Sequence, residues 1–131
     1  MDLQGFPFPP NSPEAGACIR VERPEAGLAV VYLDPPHRSL AVLDAPMLRD
    51  LDEIVRELHQ DSTLKGVVFA GAEPLKFAAG ADIEGIGGIT DPSDAFRIVQ
   101  FVHAIFTSIE KLKPITVAAI GGAVPGGAYE L

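Results

Sequence analysis

Two short apolar segments, each preceded by an amphipathic stretch, constrain the fold of this chain most strongly. Residues 65–70 have the sequence Lys-Gly-Val-Val-Phe-Ala, and residues 115–120 have the sequence Ile-Thr-Val-Ala-Ala-Ile. Apolar runs of this length, bounded by glycine or proline, predict buried strands. Because strands and helices alternate along the chain, the pattern predicts an α/β fold with parallel pairing and covering helices.

The two amphipathic stretches have apolar residues at helical spacing. The first covers residues 45–59, with Asp44 as the predicted N-cap and Pro46 in the first turn. The second is predicted to begin at Ser93 or Asp94, and Pro114 limits its end. Its predicted apolar side consists of Phe96, Val99, Val102, Ile105, Phe106, Ile109 and Leu112.

The beginning of the chain predicts a leader followed by a hairpin. Residues 1–16 contain four prolines and no apolar periodicity, which predicts a disordered leader. Residues 17–23 and 28–34 are short β-branched segments separated by the turn-forming residues 24–27. The predicted order is therefore β-β-α-β-α-β and then a glycine-rich turn, with residues 17–131 in one domain.

Charge and leader composition exclude several classes of partner. A net charge of −8 argues against nucleic-acid binding, which needs a concentrated basic surface. No apolar run approaches the roughly 18 residues of a membrane-spanning helix. Residues 1–16 have no Lys or Arg and fit neither a secretory signal nor a transit peptide, so a cytoplasmic location is predicted. The lone Cys18 is predicted to be a small half-buried residue on an early strand, because a catalytic thiol needs an activating base.

Chemistry is expected where small residues follow the two apolar strands, at residues 76–83 and 121–130. In open α/β sheets, ligands bind beyond the carboxyl ends of the strands. Small residues there let a ligand approach the backbone amides closely. Nucleotide-binding glycine motifs and the Gly-x-Ser-x-Gly elbow are absent. The three histidines, His37, His59 and His103, lack ligand spacing, so no metal site is predicted.

These two segments resemble those of the crotonase (enoyl-CoA hydratase/isomerase) superfamily. Residues 76–83, Lys-Phe-Ala-Ala-Gly-Ala-Asp-Ile, resemble its F-A-A-G-A-D-I segment. Residues 113–131 resemble its K-P-x-I-A-A-x-x-G-x-A-x-G-G-G-x-E-L segment, at a family-like distance. The resemblance covers residues 17–131. It implies a spiral of β-β-α repeats, truncated here before the C-terminal helices.

The resemblance implies an acyl-CoA site. The backbone N–H groups of Ala81 and Gly127 would hold the thioester carbonyl as an oxyanion hole. Glu130 would hold and deprotonate the water that a hydratase adds. Arg38, Lys76, Lys111 and Lys113 are the candidate cations for the coenzyme phosphates. The positions implied to bind the coenzyme or substrate are Arg38, Ser39, Leu40, Ala79, Gly80, Ala81, Asp82, Ile83, Gly126 and Gly127.

The implied function is hydration of a trans-2-enoyl-CoA in fatty acid β-oxidation. Coenzyme A would enter as part of the substrate, with no other cofactor bound. A dehydrogenase domain behind the hydratase is one variant, and a trimer or hexamer is implied for the longer parent. The alternatives are isomerisation, dehalogenation or thioester hydrolysis, or a non-catalytic acyl-CoA-binding fragment.

The expected position of a second acid and several departures from the family pattern leave the reaction and its substrate open. The family's second catalytic glutamate is expected after Leu131, so the chain by itself is expected to be inactive. Gly121-Gly122, Pro125 and Ala128 depart from the family pattern. These departures leave the choice of substrate open.

Overall fold

The computed structural model describes residues 3–131, which form six strands and four helices within that range. In chain order the elements are β1 (Ile19–Glu22), β2 (Leu28–Leu33), β3 (Ala41–Leu43), α1 (Ala45–Gln60), β4 (Gly66–Gly71), β5 (Ala78–Ala81), α2 (Ile83–Gly87), α3 (Pro92–Glu110), β6 (Ile115–Ala119) and α4 (Gly127–Glu130).

The main sheet has four strands in the order β1-β2-β4-β6. β1 and β2 form the predicted antiparallel hairpin, and β2, β4 and β6 run parallel to one another. The register places Val31 opposite Phe69, and Val68 opposite Val117. A second sheet pairs β3 with β5 in parallel. The predicted α/β class, the hairpin and the parallel pairing are confirmed.

Helix α1 covers one face of the main sheet. Asp44 is its N-cap, as predicted, because the carboxylate accepts a hydrogen bond of 3.1 Å from the N–H of Met47. The buried face of α1 includes Leu48, Leu51, Val55 and Leu58. These side chains belong to the same core as the inward residues of β2 and β4, where buried and half-buried positions alternate.

Helix α3 differs from the prediction at its start and in its buried face. It begins at Pro92, because Asp91 caps it by accepting from the N–H of Ser93 and proline suits the first turn. Phe96 and Val99 are exposed instead of buried. The stripe that enters the core is Ile98, Phe101, Ile105 and Ile109.

Strands β3 and β5 were not predicted from the sequence. Strand β6 was predicted to be buried, and the structure contradicts this. Strand β5 consists of alanine and glycine, which have low strand propensity, so pairing with β3 forms it rather than local preference. Strand β6 is an edge of the main sheet, and all five of its residues are exposed. Ile115 at its start is 75% exposed.

The leader, expected to be disordered, contains no helix or strand from residue 3 to residue 16. It consists of turns that lie against the helices. Phe6 is only 5% exposed and belongs to the hydrophobic core. The first two residues of the predicted leader lie outside the described residues.

Candidate active site

A cavity of about 330 Å³ brings together three residues that the sequence analysis singled out. Ala81 at the end of β5, Gly127 at the start of α4 and Glu130 in the same helix all line it. The rest of the lining is mostly apolar and comes from four parts of the chain. Those residues are Phe6, Leu43, Leu48, Ile86, Ile89, Ala95, Ile98, Val99, Val102, His103 and Phe106.

The backbones of Ala81 and Gly127 lie side by side. A Cβ placed on Gly127 would come within 3.8 Å of the backbone nitrogen of Ala81. Gly80 allows this approach, because a side chain there would lie 2.6 Å from the carbonyl oxygen of Pro125. Its φ of +94° also favours glycine. The N–H of Gly127 opens α4, where the first N–H groups of a helix have no acceptor within the helix.

Two ionisable side chains reach the cavity. Among the lining residues, all within residues 3–131, Glu130 supplies the sole carboxylate and His103 the sole imidazole. His103 comes from α3 and is exposed. His103 follows Val102 directly and lies one turn after Val99. Because both of these apolar residues line the cavity, their spacing was the sequence signal that His103 also reaches it.

A buried polar network supports the segment that carries Ala81. Asp44 is fully buried, and its Oδ2 accepts from Arg38 Nε at 2.6 Å and contacts His37 Nε2 at 2.8 Å. Arg38 Nη2 also lies 3.4 Å from Oδ1 of the buried Asp82, the residue after Ala81. Arg38 thus connects the N-cap of α1 to the end of β5. The contacts of Asp44 with Arg38 and His37 were not visible in the sequence, since they depend on the fold.

The residues implied to bind coenzyme A fall into two groups. Arg38, Ser39 and Leu40 line a second cavity of about 180 Å³ together with Lys76. Lys76 Nζ donates to the carbonyl oxygen of Ser39 at 2.7 Å, and to Glu73 at the same distance. This part of the candidate site is therefore assembled in the structure, although both cations already have protein partners.

The other candidate positions lie elsewhere. Ala79 and Gly80 are within β5, and Asp82 is the N-cap residue of α2. Ile83 is 83% exposed at the start of α2. Gly126 has a φ of +55° and immediately precedes α4.

Two of the candidate cations are not at the site. Lys111 lines a separate surface groove beside His59, and Lys113 lines neither of the two cavities. The structure therefore places two of the four candidate cations, Arg38 and Lys76, beside the predicted coenzyme site.

Comparison with known proteins gives this arrangement a family. Residues 23–131 match the family profile described as "Enoyl-CoA hydratase/isomerase". The chain belongs to the enoyl-CoA hydratase/isomerase family. The match includes β5, α4 and all three of Ala81, Gly127 and Glu130.

Two curated relatives in this family are named fatty acid oxidation complex subunit alpha. The protein from Idiomarina loihiensis is 38% identical over 105 residues, which are 80% of this chain and 15% of the relative. The protein from Shewanella oneidensis is 34% identical over 116 residues, which are 88% of this chain and 16% of the relative. The chain thus spans about a sixth of the length of these relatives.

Solved structures of the family share the fold. A putative enoyl-CoA hydratase/isomerase family protein from Hyphomonas neptunium is 30% identical, with a TM-score of 0.74 over 87% of this chain and 43% of that chain. An enoyl-CoA hydratase/carnithine racemase from Magnetospirillum magneticum is 28% identical, with a TM-score of 0.76 over 85% and 41%. The crotonase-like fold implied by the resemblance is confirmed.

Between residues 3 and 131, no group of three or more His, Cys, Asp or Glu side chains is placed to hold a metal ion. Within the same range, no helix is both long enough and apolar enough to cross a membrane.

Proposed function

We propose that this chain supplies the thioester-binding half of an enoyl-CoA hydratase that acts in fatty acid oxidation. The observation that carries the proposal is the meeting of Ala81, Gly127 and Glu130 at one largely apolar cavity. Membership of the enoyl-CoA hydratase/isomerase family and the names of the two curated relatives support it. Coenzyme A enters as part of the substrate, and no separate cofactor is proposed.

The proposed mechanism uses two backbone N–H groups and one carboxylate. The thioester oxygen accepts hydrogen bonds from the N–H groups of Ala81 and Gly127. Negative charge develops on that oxygen when water adds to C3 and an enolate forms, and fixed amide donors stabilise this charge. Glu130 takes a proton from the water as the new C–O bond forms. The enolate then takes a proton at C2 from a second acid, which the family resemblance places after Leu131.

Glu130 favours hydration over the other reactions of the family. An isomerase needs no water at C3, and the resemblance associates isomerases with an apolar residue at this position. Here the carboxylate lines the cavity instead. Arg38, Ser39, Leu40 and Lys76 are proposed to receive the coenzyme, because they line the neighbouring cavity.

Hydration of trans-2-butenoyl-CoA tests the proposal, measured on the longest natural polypeptide that contains these 131 residues. Glu130→Gln keeps the shape but cannot take the proton, so the rate should fall by about 10²–10⁴-fold. Glu53→Gln, an exposed glutamate on α1, is the matched control and should keep the wild-type rate. Wild-type activity in Glu130→Gln would refute the role of Glu130.

A second variant tests the oxyanion hole. Gly127→Pro removes one N–H, and proline is well suited to the first position of a helix. We expect kcat to fall by about 10²–10³-fold, and binding to weaken as well, because the proline Cδ takes the place of the N–H hydrogen. An unchanged kcat would exclude Gly127 as a donor.

Assembly and location remain predictions from the sequence. A trimer or hexamer is proposed for the longer protein, and light scattering after gel filtration measures it directly. A cytoplasmic location is proposed on the composition of the leader.

A further inference from the structure

Phe6 forms part of the cavity wall, although it lies before the residues that the family profile matches. Its side chain is buried. The ring packs against α2, since a Cβ placed on the buried Gly85 would be 3.0 Å from Phe6 Cε2. Gly85 is four residues after Ala81, so the ring packs against the helix that follows the proposed carbonyl site.

The segment that carries Phe6 is held on α3. The N–H of Phe6 donates to the carbonyl oxygen of Leu3 at 2.9 Å, which closes a tight turn. Gly5 in this turn has a φ of +84°, and a side chain there would collide with Asp94. Arg97, which pairs with Asp94, donates to the Gln4 side chain at 3.1 Å. These contacts fix the position from which the Phe6 ring enters the cavity.

The same segment is held on α1 further along. Arg49 Nη2 donates to the carbonyl oxygen of Glu14 at 2.9 Å and to that of Pro13 at 3.3 Å. The Arg49 guanidinium also lies 5.9 Å from the centre of the Phe8 ring, within the range of a cation–π contact. Phe6 is therefore carried on a segment anchored on both sides of it.

The cavity around Phe6 is suited to an apolar chain. Ile86, Val99 and Val102 line it, and Ile86 and Val99 are each about half exposed. Apolar side chains that remain exposed around a cavity gain free energy when an apolar ligand covers them. An acyl chain attached to a carbonyl at Ala81 and Gly127 would provide that cover.

We propose that Phe6 closes the acyl end of this cavity and sets the longest acyl chain that fits. The inference rests on the proposed acyl-CoA function and adds a specificity-determining residue from the N-terminal segment. A shorter side chain at position 6 would leave room for further methylene groups of the substrate. The N-terminal segment is thereby part of the substrate site.

Calorimetric titration of the longest natural polypeptide that contains these residues tests this, with butanoyl-, octanoyl- and dodecanoyl-CoA as non-reactive ligands. Phe6→Ala should raise the affinity for the longer ligands relative to butanoyl-CoA. The expected gain is roughly fourfold for each methylene newly buried, which corresponds to about 0.8 kcal/mol per CH₂. Phe6→Leu should give a smaller shift in the same direction and decides the question if Phe6→Ala does not fold.

Phe8→Ala is the matched control, because Phe8 is on the same segment, is 44% exposed and does not line the cavity. It should keep the wild-type order of affinities. The inference is overturned if Phe8→Ala changes the order as much as Phe6→Ala, since the segment and not the ring would then be responsible.

Two further outcomes separate this inference from the proposed function. If the wild type binds butanoyl-CoA and neither Phe6 variant changes the order of affinities, the inference fails and the proposed function stands. If the wild type binds no acyl-CoA of any length, the proposed function fails and the inference fails with it.

Discussion

Two buried aspartates at α1 hold two different parts of the chain. Asp44 caps the helix, and Asp50 lies inside it, with both side chains almost completely removed from solvent. Asp44 pairs with Arg38, a few residues before it, and Asp50 pairs with the adjacent Arg49. Each also accepts a hydrogen bond from a backbone N–H. The local chemistry is therefore nearly the same.

The two networks differ in what they connect. From Asp44 the contacts run through Arg38 to Asp82, and so to the end of β5 where Ala81 stands. From Asp50 they run to the N–H of Cys18 at 2.9 Å, at the entrance to β1. One carboxylate supports the proposed oxyanion hole, and the other holds the N-terminal segment that carries Phe6. Two walls of the cavity are therefore anchored through different contacts.

The largest effect is expected for Asp44→Ala. The substitution removes the N-cap of α1 and the buried partner of Arg38, so the free energy of unfolding should fall by about 3 kcal/mol. Urea denaturation measures it. Asp52→Ala removes an exposed pair with Arg56 on the same helix and should change stability by less than about 0.5 kcal/mol. A loss below about 1 kcal/mol for Asp44→Ala would contradict the network.

A smaller loss, about 2 kcal/mol, is expected for Asp50→Ala. The N–H of Cys18 loses its acceptor, but Arg49 keeps the carbonyl oxygens of Pro13 and Glu14. Because Asp50 contacts neither Asp82 nor Ala81, butanoyl-CoA affinity should stay unchanged in the titrations above. If Asp50→Ala lowers the affinity for butanoyl-CoA as strongly as Asp44→Ala does, the two walls of the cavity are not independent.

The pH dependence of stability distinguishes Asp50 further. Burial raises the pKa of Asp50, but hydrogen bonds from Arg49 and from the N–H groups of Gly16 and Cys18 outweigh it, so the pKa lies below its ordinary value. A carboxyl whose pKa is lowered by folding stabilises the protein fully above the unfolded pKa, about 3.9, and loses this contribution as pH falls through the folded pKa.

Urea titrations of the wild type and Asp50→Asn test this linkage. The stability difference between the two proteins should be constant at neutral pH and shrink below about pH 4, by at most about 1.4 kcal/mol per pH unit. A difference that stays constant down to acid unfolding would show that Asp50 gains nothing from its partners.

The smallest effect concerns the rate at which the Cys18 thiol is alkylated rather than stability. Burial, and then the neighbouring Asp50, raises the pKa of the Cys18 thiol to about 12, and the side chain is fully buried. Alkylation by iodoacetamide at pH 8 should be slower than in urea by about tenfold or more, because the thiolate is the reactive form. Arg49→Ala, which releases the segment before Cys18, should speed labelling. Equal rates in folded and unfolded protein would contradict this burial.

Much of the fold follows from local sequence patterns. Residues 45–59 have helical periodicity with an aspartate before them, and α1 forms there with Asp44 as its cap. The apolar runs at 65–70 and 115–120 become β4 and β6. The family resemblance also identified Ala81, Gly127 and Glu130, which line one cavity. These features were predictable because each is written in a few adjacent residues.

Other parts depend on partners that are distant in the sequence. Strand β5 exists because β3 pairs with it, and Ala-Ala-Gly-Ala has no strand preference of its own. Arg38, expected to meet phosphates, lies between Asp44 and Asp82. Their three positions lie in different segments, so no spacing rule connects them.

The N-terminal segment shows most clearly what local sequence patterns did not predict. Its prolines and lack of periodicity predicted a disordered leader, whereas Phe6 is buried between α2 and the cavity. The sequence determined helices α1 and α3, the strands of the main sheet and the three proposed site residues, because local periodicity and short motifs specify them. The tertiary structure decided β5, the partners of Arg38 and the place of Phe6, because burial and ion pairing depend on which distant surfaces meet.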